Sequence, residues 1–429
     1  MELEKTVCIV GLGYVGLPLA CLSAAKGYSV RGIDLDPAKV KKINSGESPI
    51  EDEYLKREVR AQKGKITAST DFASVPDSDF VVVCVPTPVD EKHLPDLRPL
   101  EGACRSIAPK IRKGQTIIIE STIYPGTIEE ICKPLLEKGS GLKAEKDFYL
   151  CHCPERIDPG NKKWTIENIP RVIGGLSAEG VRKAKSFYES ILSANVLALN
   201  SVKATEAVKI TENCFRDVNI AFVNELAQSF RKLGIDTKEV IEGASTKPFG
   251  YMPFYPGPGV GGHCISVDPY YLIERAKRNG FNHKFLSLAR EINNAMPFHV
   301  VFLAQEALNE AGIPLKGAKV AVLGVAYKRN VDDFRESPSF EIISELKRRG
   351  AEVRVFDPFI SPHSTVPSLE SALEGADCIV LATDHDSFVE KLTPEFLKKA
   401  GVKAVVDGRN RLDKSGISLA GIIFRGIGR

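Results

Sequence analysis

The sequence predicts an α/β protein of two doubly wound units joined by a long central helix, and three observations carry that prediction. Short apolar runs alternate with amphipathic stretches over the first 200 residues; a long stretch without proline or glycine follows; and the alternation returns near residue 319. Taken in order, strands are expected at TVCIV (6–10), SVRGID (29–34), DFVVVCV (79–85), QTIIIE (115–120), FYLCHC (148–153), RVIGG (171–175) and NVLAL (195–199). Alternation of such runs with helical stretches builds βαβ units and therefore a parallel sheet. From Ser201, SVKATEAVKITENCFRDVNIAFVNELAQSFRKLG holds no proline and no glycine before Gly234. Its apolar residues recur at helical spacing, which reads as one helix of about 30 residues. Helical segments are expected to about residue 312. In AGIPLKGAKVAVLGVAYK a proline and glycines punctuate the chain. Strands then resume at VAVLG (320–324), EVRVFD (352–357), DCIVLA (377–382) and AVVDG (404–408). The two ends thus read as distant variations on one nucleotide-binding plan. Three segments follow, 1–200, 201–312 and 313–429.

Composition narrows the class. Hydrophobic residues make up 43% and charged residues 26% of 429 residues, as in soluble globular proteins. No apolar run approaches the roughly 20 residues of a membrane span. The N-terminal MELEKTVCIVGLG has no basic stretch ahead of its apolar run, so no signal peptide is expected and the cytoplasm is the default. Ten cysteines in a reducing compartment point to catalysis or metal binding sooner than to disulfides. A net charge of +3 with both signs interspersed favours neither nucleic acid nor membrane as a partner.

Gly11-Leu12-Gly13-Tyr14-Val15-Gly16 follows the first strand and opens a helix, and Asp34 ends the second strand. GxGxxG alone is a weak signal. In this context it is strong, because the glycines let the backbone approach a pyrophosphate at a helix N-terminus while the carboxylate takes a ribose hydroxyl. The units are thus Rossmann-like, and Asp34, which would repel a 2′-phosphate, selects NAD over NADP. Lys39 is a candidate for the ribose and equally for a solvated helix face. Thr87 in VPTP and Thr122 in EST stand just past strand ends, where such sheets bind ligands and where helix caps also occur.

PGPGVGGHCISVDPYYL, residues 256–272, sets Cys264 among Gly257, Gly259, Gly261 and Gly262, so something must approach that backbone closely. Asp268 before Pro269 has the pattern of a helix N-cap. Near a helix start a thiol is held as the nucleophilic thiolate. Lys209 and Asn213 share a face of the long helix with Glu206 and Asp217. Such a stripe ordinarily faces solvent, but a cation and an amide there also suit an oxyanion. Glu155 in CHCPERIDPG ends a strand, with a surface ion pair to Arg156 as its plainer explanation. Zinc binding by Cys151, His152, Cys153, His263 and Cys264 is a weak reading, since C-x-C on one strand face is not a usual structural zinc pair.

With these motifs assembled, the chain resembles the UDP-glucose and UDP-N-acetylhexosamine 6-dehydrogenase family over essentially its whole length. The resemblance is carried by GLGYVGLPLA, VPTP, ESTIYPGT, CPERIDPG, the EAVKITEN helix, GPGVGGHCISVDP and GVAYKRNVDDFRESPS. It implies an NAD domain over 1–200, a central helical dimerisation domain with the cysteine loop over 201–312, and a UDP-binding domain over 313–429. It also implies a homodimer and two successive oxidations of a sugar C6 alcohol to a carboxylate. Cys264 would be the nucleophile, Lys209 and Asn213 the oxyanion stabilisers, and Thr122, Glu155 and Asp268 the groups that position water and move protons. An aldehyde yields a second hydride only after gaining a tetrahedral centre, which thiolate attack supplies; the resulting thioester is then hydrolysed. The UDP-sugar would meet Glu155, Arg156, Lys209, Asn213, Tyr255, Gly257, Gly261, Lys328, Arg335 and, more weakly, Arg409.

There are departures from the UDP-glucose branch. Pro159 stands where those enzymes carry a second glutamate, Lys247 is the one cation offered ahead of the glycine loop in place of their arginine, and His263 replaces their serine or tyrosine. The sequence therefore resembles the N-acetylhexosamine enzymes more, with N-acetylmannosamine slightly ahead of N-acetylglucosamine. Rival readings are a UDP-glucose or GDP-mannose enzyme, a simple two-electron dehydrogenase that has no use for the thiol, and a catalytically silent nucleotide-sugar-binding regulator.

Overall fold

A computed structural model describes residues 5–90, 94–157, 161, 163–262 and 265–429. The chain forms two compact units, one of residues 1–212 and 270–281 and the other of residues 213–269 and 282–429. Each is built on its own sheet.

The first unit has eight strands: β1 (Thr6–Val10), β2 (Ser29–Ile33), β3 (Ile66–Ser69), β4 (Phe80–Val83), β5 (Thr116–Ile119), β6 (Tyr149–His152), β7 (Arg171–Gly175) and β8 (Val196–Ala198). Their spatial order is β3-β2-β1-β4-β5-β6-β7-β8, which puts the topological switch point between β1 and β4. The expected strands are present, β1 and β7 with the expected bounds and the other five shortened by a residue or two at one or both ends. β3 was not expected: its sequence, ITAS, is short and only half apolar. The sheet is also not wholly parallel, because β7 runs antiparallel to β6, pairing Cys151 with Gly175 and His152 with Gly174. Among the described residues no crossover helix lies between β6 and β7, and a parallel pairing requires one. Alternate residues of β1 serve opposite layers. Val7 and Ile9 face Leu17, Leu19 and Phe187, while Cys8 and Val10 face Leu100, Ile107 and Ile128.

The second unit carries a five-stranded parallel sheet in the order β10-β9-β11-β12-β13. Its strands are β9 (Lys319–Leu323), β10 (Glu352–Phe356), β11 (Cys378–Leu381), β12 (Ala404–Asp407) and β13 (Ile423–Gly426), the last of which was not expected. It repeats the first unit's opening. Gly11 donates its N–H to Ile33 O at the end of β2, and Gly324 donates its own to Phe356 O at the end of β10. The acid after the second strand differs. Asp357 Oδ2 accepts from Val325 N and Ala326 N and meets His385 Nε2 at 3.1 Å, while Oδ1 accepts from Phe359 N and Ile360 N.

The long helix spans Val202–Lys232, 31 residues, as its unbroken periodicity predicts. In the second unit it is joined by a helix over Lys284–Glu310, which contains Pro297. No helix of the described residues is long and apolar enough to cross a membrane.

Candidate active site

The phosphate loop is shaped by its own glycines. Gly11 has φ 94°, in the left-handed region, and a Cβ there would stand 2.7 Å from Cys84 O. A Cβ on Gly16 would stand 1.9 Å from Gly11 O, whereas Gly13 has nothing within 4 Å and leaves the approach open. The helix Gly16–Ala25 starts after Val15 with no side-chain cap, and although Leu17 N already donates to Gly13 O at 3.1 Å, the positive end of its dipole lies at this loop and suits a pyrophosphate. Tyr14 lies beside this turn, 38% exposed. Asp34 Oδ2 accepts from Leu12 N at 2.9 Å and Oδ1 accepts from Asp36 N at 3.0 Å. That orients the carboxylate and leaves each oxygen a lone pair for a ribose diol. Lys39 Nζ is 3.7 Å from Asp34 Oδ2, so Lys39 stands beside that carboxylate and not on a remote helix face. These residues fit an NAD. A 2′-phosphate beside Asp34 would meet repulsion of about 4 kcal/mol at 4 Å in an effective dielectric of about 20. The enzyme is therefore expected to favour NAD over NADP by at least about 100-fold in kcat/KM. Comparable efficiencies in initial-rate assays would show that Asp34 does not set the choice.

At the same sheet edge Thr87 is buried after β4, and Tyr271 Oη donates to Thr87 O at 2.6 Å and Pro88 O at 3.0 Å. Thr122 and Glu155 follow β5 and β6, neighbours in register through Ile119 and His152, so the topology brings them to one edge. Glu155 is not paired with Arg156. Its Oε2 lies 2.5 Å from Arg171 Nη2, and its Oε1 accepts from Arg156 N and Ile157 N. Arg156 instead reaches Glu212 at 2.6 Å and donates to Pro170 O. The plainer expectation fails because the side chains of residues 155 and 156 leave the strand end in different directions, one inward.

Behind Glu155 lies a cluster that sequence reasoning missed. Arg171 is fully buried, with Glu120 Oε1 at 3.8 Å on its other side. Tyr188 Oη donates to Glu120 Oε1 at 2.5 Å, and Cys84 Sγ lies 3.5 Å from Oε2. Burial, with the added repulsion of Glu155, pushes the Glu120 carboxyl up to about 7 against the pull of Arg171. The available signal was a charge closing each apolar run, Glu120 after TIII and Arg171 before VIGG. The neighbouring Cys151, His152 and Cys153 are all fully buried, and burial takes His152 down to about 4, so its ring is neutral. They are packing residues of β6 and of the position that follows it.

The polar stripe of the long helix is not solvent-facing. Glu206, Asn213 and Asp217 are buried and Lys209 half-buried. Within the first unit Glu206 accepts from Gly126 N and Ile128 N at 2.6 and 2.8 Å, fixing the loop after Thr122. Within the second unit Asn213 Nδ2 donates to Asp268 Oδ2 at 2.5 Å. Asp268 is the first residue of the helix Asp268–Arg278 instead of the cap preceding it, and it too is buried.

What approaches the backbone of the glycine loop closely is the chain itself. Gly262 has φ 84° and a Cβ there would stand 2.8 Å from the Tyr327 ring; one on Gly261 would stand 2.8 Å from Glu336 O. The chain's own segment 327–338 thus occupies that face, and Gly262 N donates to Arg335 O at 3.0 Å. Arg335 buttresses the loop through its carbonyl while its guanidinium grips Asp333. Arg409 lies against the loop: a Cβ on Gly257 would stand 3.2 Å from its Nη1, and its Nε donates to Ala382 O at 2.8 Å. Burial pulls this guanidinium below its usual range. Lys328 is half-buried next to Tyr327, Tyr255 is 52% exposed, and Lys247 is exposed over the Phe249 ring. His263, Cys264 and Pro159 lie outside the described residues.

A switch-point phosphate loop with an acid at the end of β2, on a chain with a second sheet of the same plan, defines an NAD-dependent dehydrogenase. Models of three domains match the chain in succession: the NAD binding domain over 5–192, the central domain over 203–295 and the UDP binding domain over 321–414. The chain belongs to the UDP-glucose/GDP-mannose dehydrogenase family. It is 39% identical over 425 residues, 99% of either chain, to a UDP-N-acetyl-D-mannosamine dehydrogenase of Pyrococcus horikoshii, whose solved structure it matches with a TM-score of 0.93. A UDP-N-acetyl-D-glucosamine 6-dehydrogenase of Pseudomonas aeruginosa is 37% identical, with 93% of this chain and 94% of that one covered. A solved NDP-N-acetyl-D-galactosaminuronic acid dehydrogenase of Methanosarcina mazei is 32% identical, covering 100% and 96%, with a TM-score of 0.87.

Proposed function

We propose that the protein oxidises the C6 alcohol of a UDP-N-acetylhexosamine to the carboxylate in two NAD-dependent steps, with UDP-N-acetylmannosamine favoured over UDP-N-acetylglucosamine. The observation that carries this reading is the end-to-end similarity to an enzyme named for the first of these sugars. Residues 1–200 hold NAD, 201–312 carry the cysteine loop and the dimer contacts, and 313–429 hold the uridine nucleotide. NAD, when bound, takes a hydride in each oxidation. Thr122, Glu155 and Asp268 orient water and carry protons, while Lys209 and Asn213 steady the developing oxyanion. Asn213 is set for this by its bond to Asp268, which fixes the direction of its amide. Cys264 attacks the aldehyde carbon, the carbonyl electrons move to oxygen, and water later cleaves the thioester to regenerate the thiol. Arg409, Lys328 and the loop buttressed by Arg335 receive the nucleotide, and Arg156, Tyr255, Gly257 and Gly261 border the sugar.

Purified protein is to be offered UDP-N-acetylmannosamine, UDP-N-acetylglucosamine, UDP-glucose and GDP-mannose in parallel, with NADH counted and the product weighed. Two NADH per uronate from an acetamido sugar is expected. One NADH per sugar would mark a simple dehydrogenase, none a silent binding protein, and preference for UDP-glucose or GDP-mannose would overturn the acetamido assignment. Preference for the glucosamine epimer would correct only the sugar, since one inverted substituent alters contacts worth about 1 to 3 kcal/mol.

The protein acts in the cytoplasm as a homodimer. On the long helix Phe215 and Phe222 are half exposed, as are Leu288, Phe298 and Phe302 on the helix that joins it, more apolar surface than one fold ordinarily leaves to water. Light scattering at working concentration is expected to give twice the chain mass. A monomeric, fully active protein would refute the dimer.

A further inference from the structure

The glycine loop is tied to the helices of its own unit by a buried polar chain. Gly257 N donates to Asn224 Oδ1 at 2.9 Å, and Asn224 Nδ2 donates to Asn293 Oδ1 at 2.9 Å. Asn293 Nδ2 in turn donates to Asp217 Oδ1 at 2.8 Å and Asp217 O at 3.0 Å. Arg290 Nη1 donates to the same Asp217 oxygen at 2.7 Å. Asn224, Asn293, Asp217, Arg290 and Gly257 are all buried.

The direction of this chain is determined at one end. Asp217 beside Arg290 only accepts, so Asn293 must turn its NH2 toward it and its oxygen toward Asn224. Asn224 must then present its NH2 to Asn293, which leaves its oxygen facing the loop. An isolated asparagine has two amide orientations, and only one of them can receive a backbone N–H. Here that orientation is enforced from three residues away. Gly257 needs it, because a buried N–H without a partner costs about 1 to 3 kcal/mol and the loop would otherwise move to find one. A Cβ on the next glycine, Gly259, would stand 3.3 Å from Asn293 O, so the loop is seated against the same helix turn.

We infer that Asn224 is a positioning residue for the reaction: it fixes the glycine loop at Gly257, and Asn293, Asp217 and Arg290 act through it by setting the orientation of its amide. This rests on the reading that the loop serves catalysis. Gly257 lies between Pro256 and Pro258, which have no amide hydrogen, so its exchange is read without overlap in the Pro-Gly-Pro segment.

Hydrogen exchange with fragment-level mass spectrometry is to be measured on the full chain. In Asn224→Ala the Gly257 amide is expected to exchange at least about tenfold faster, with strands β9 and β12 unchanged. Asn293→Ala is expected to raise the same rate by a smaller factor, and the double variant to exchange no faster than Asn224→Ala alone, as coupled residues require. In steady state Asn224→Ala is expected to lower kcat about tenfold or more while KM for NAD stays within about twofold. Should Asn224→Ala not fold, Asn224→Asp keeps an acceptor for Gly257; a protected Gly257 with kcat within about twofold of wild type is then expected, and a kcat lowered about tenfold with Gly257 still protected would overturn the loop anchor as the route. Wild-type exchange at Gly257 in either folded alanine variant would overturn the loop anchor. Faster exchange with unchanged kcat would overturn the positioning role and leave the proposed activity standing. If the wild-type protein oxidises no nucleotide sugar, the proposed activity fails, and the exchange data still decide whether Asn224 holds the loop.

Discussion

Replacing Cys264 with serine is expected to abolish uronate formation, lowering steady-state turnover by three orders of magnitude or more while binding of NAD and UDP-sugar persists. The size follows from the chemistry of the second oxidation. A free aldehyde carries no hydride that can leave until its carbon becomes tetrahedral, and a serine hydroxyl at neutral pH is far less nucleophilic than a thiolate. Loss of a nucleophile that acts as one unit with its neighbours costs on the order of 10⁶ in the best-studied hydrolase, so a thousandfold is a modest expectation. On the proposed route the first oxidation does not need the thiol. The variant is therefore expected to release at most one NADH per active site in a slow first turnover, with aldehyde as the product. The check is a stopped-flow NADH count with mass analysis of the sugar. Undiminished formation of uronate by Cys264→Ser would exclude the thiol route, whereas aldehyde accumulation would separate the two oxidations.

The parts of this molecule legible in its sequence are those whose signals are local. The phosphate loop declares itself within GLGYVG because its glycines answer to neighbours at fixed offsets, Gly11 O under Gly16 and the end of β2 beside Gly11. The long helix is equally plain, since 31 residues pass without a breaker. What escaped reading is long-range. The antiparallel run of β7 goes with the absence of a crossover helix among the described residues between β6 and β7, and not with the residues of RVIGG themselves. Glu155 looked like a partner for Arg156 because they adjoin, yet its partner is 16 positions on, across the sheet edge. The stripe of Glu206, Asn213 and Asp217 reads as a wet face by composition. It is buried because other segments supply its hydrogen bonds, and those partners, Gly126, Asp268 and Arg290, cannot be inferred from helical spacing.

Arg171→Met is expected to destabilise the first unit by about 3 to 5 kcal/mol, because it leaves Glu120 and Glu155 buried together with no cation between them. The loss is expected to depend on pH, with a sign set by Glu120. In the fold its carboxyl sits at about 7, above its ordinary 4.5, chiefly through burial and then through Glu155, opposed by Arg171, Tyr188 and Cys84. The folded chain therefore keeps a proton that the unfolded chain has released. Stability from this group is full below about 4.5 and declines as pH rises toward 7, beyond which both states are ionised and the decline ends. Without the guanidinium that decline is expected to steepen and to continue above 7, since the opposing pull is gone. Glu120→Gln, which keeps an acceptor for Tyr188 and removes the charge, is expected to flatten it. The sole tryptophan, Trp164, lies in this unit, so its fluorescence during urea unfolding at pH 5 and pH 8 follows the unit by itself. Equal losses for Arg171→Met at both pH values would mean that Glu120 and Glu155 do not compete for one cation. A larger loss at pH 8, abolished in Arg171→Met combined with Glu120→Gln, would show that Arg171 is needed chiefly to offset the Glu120 carboxylate once it ionises.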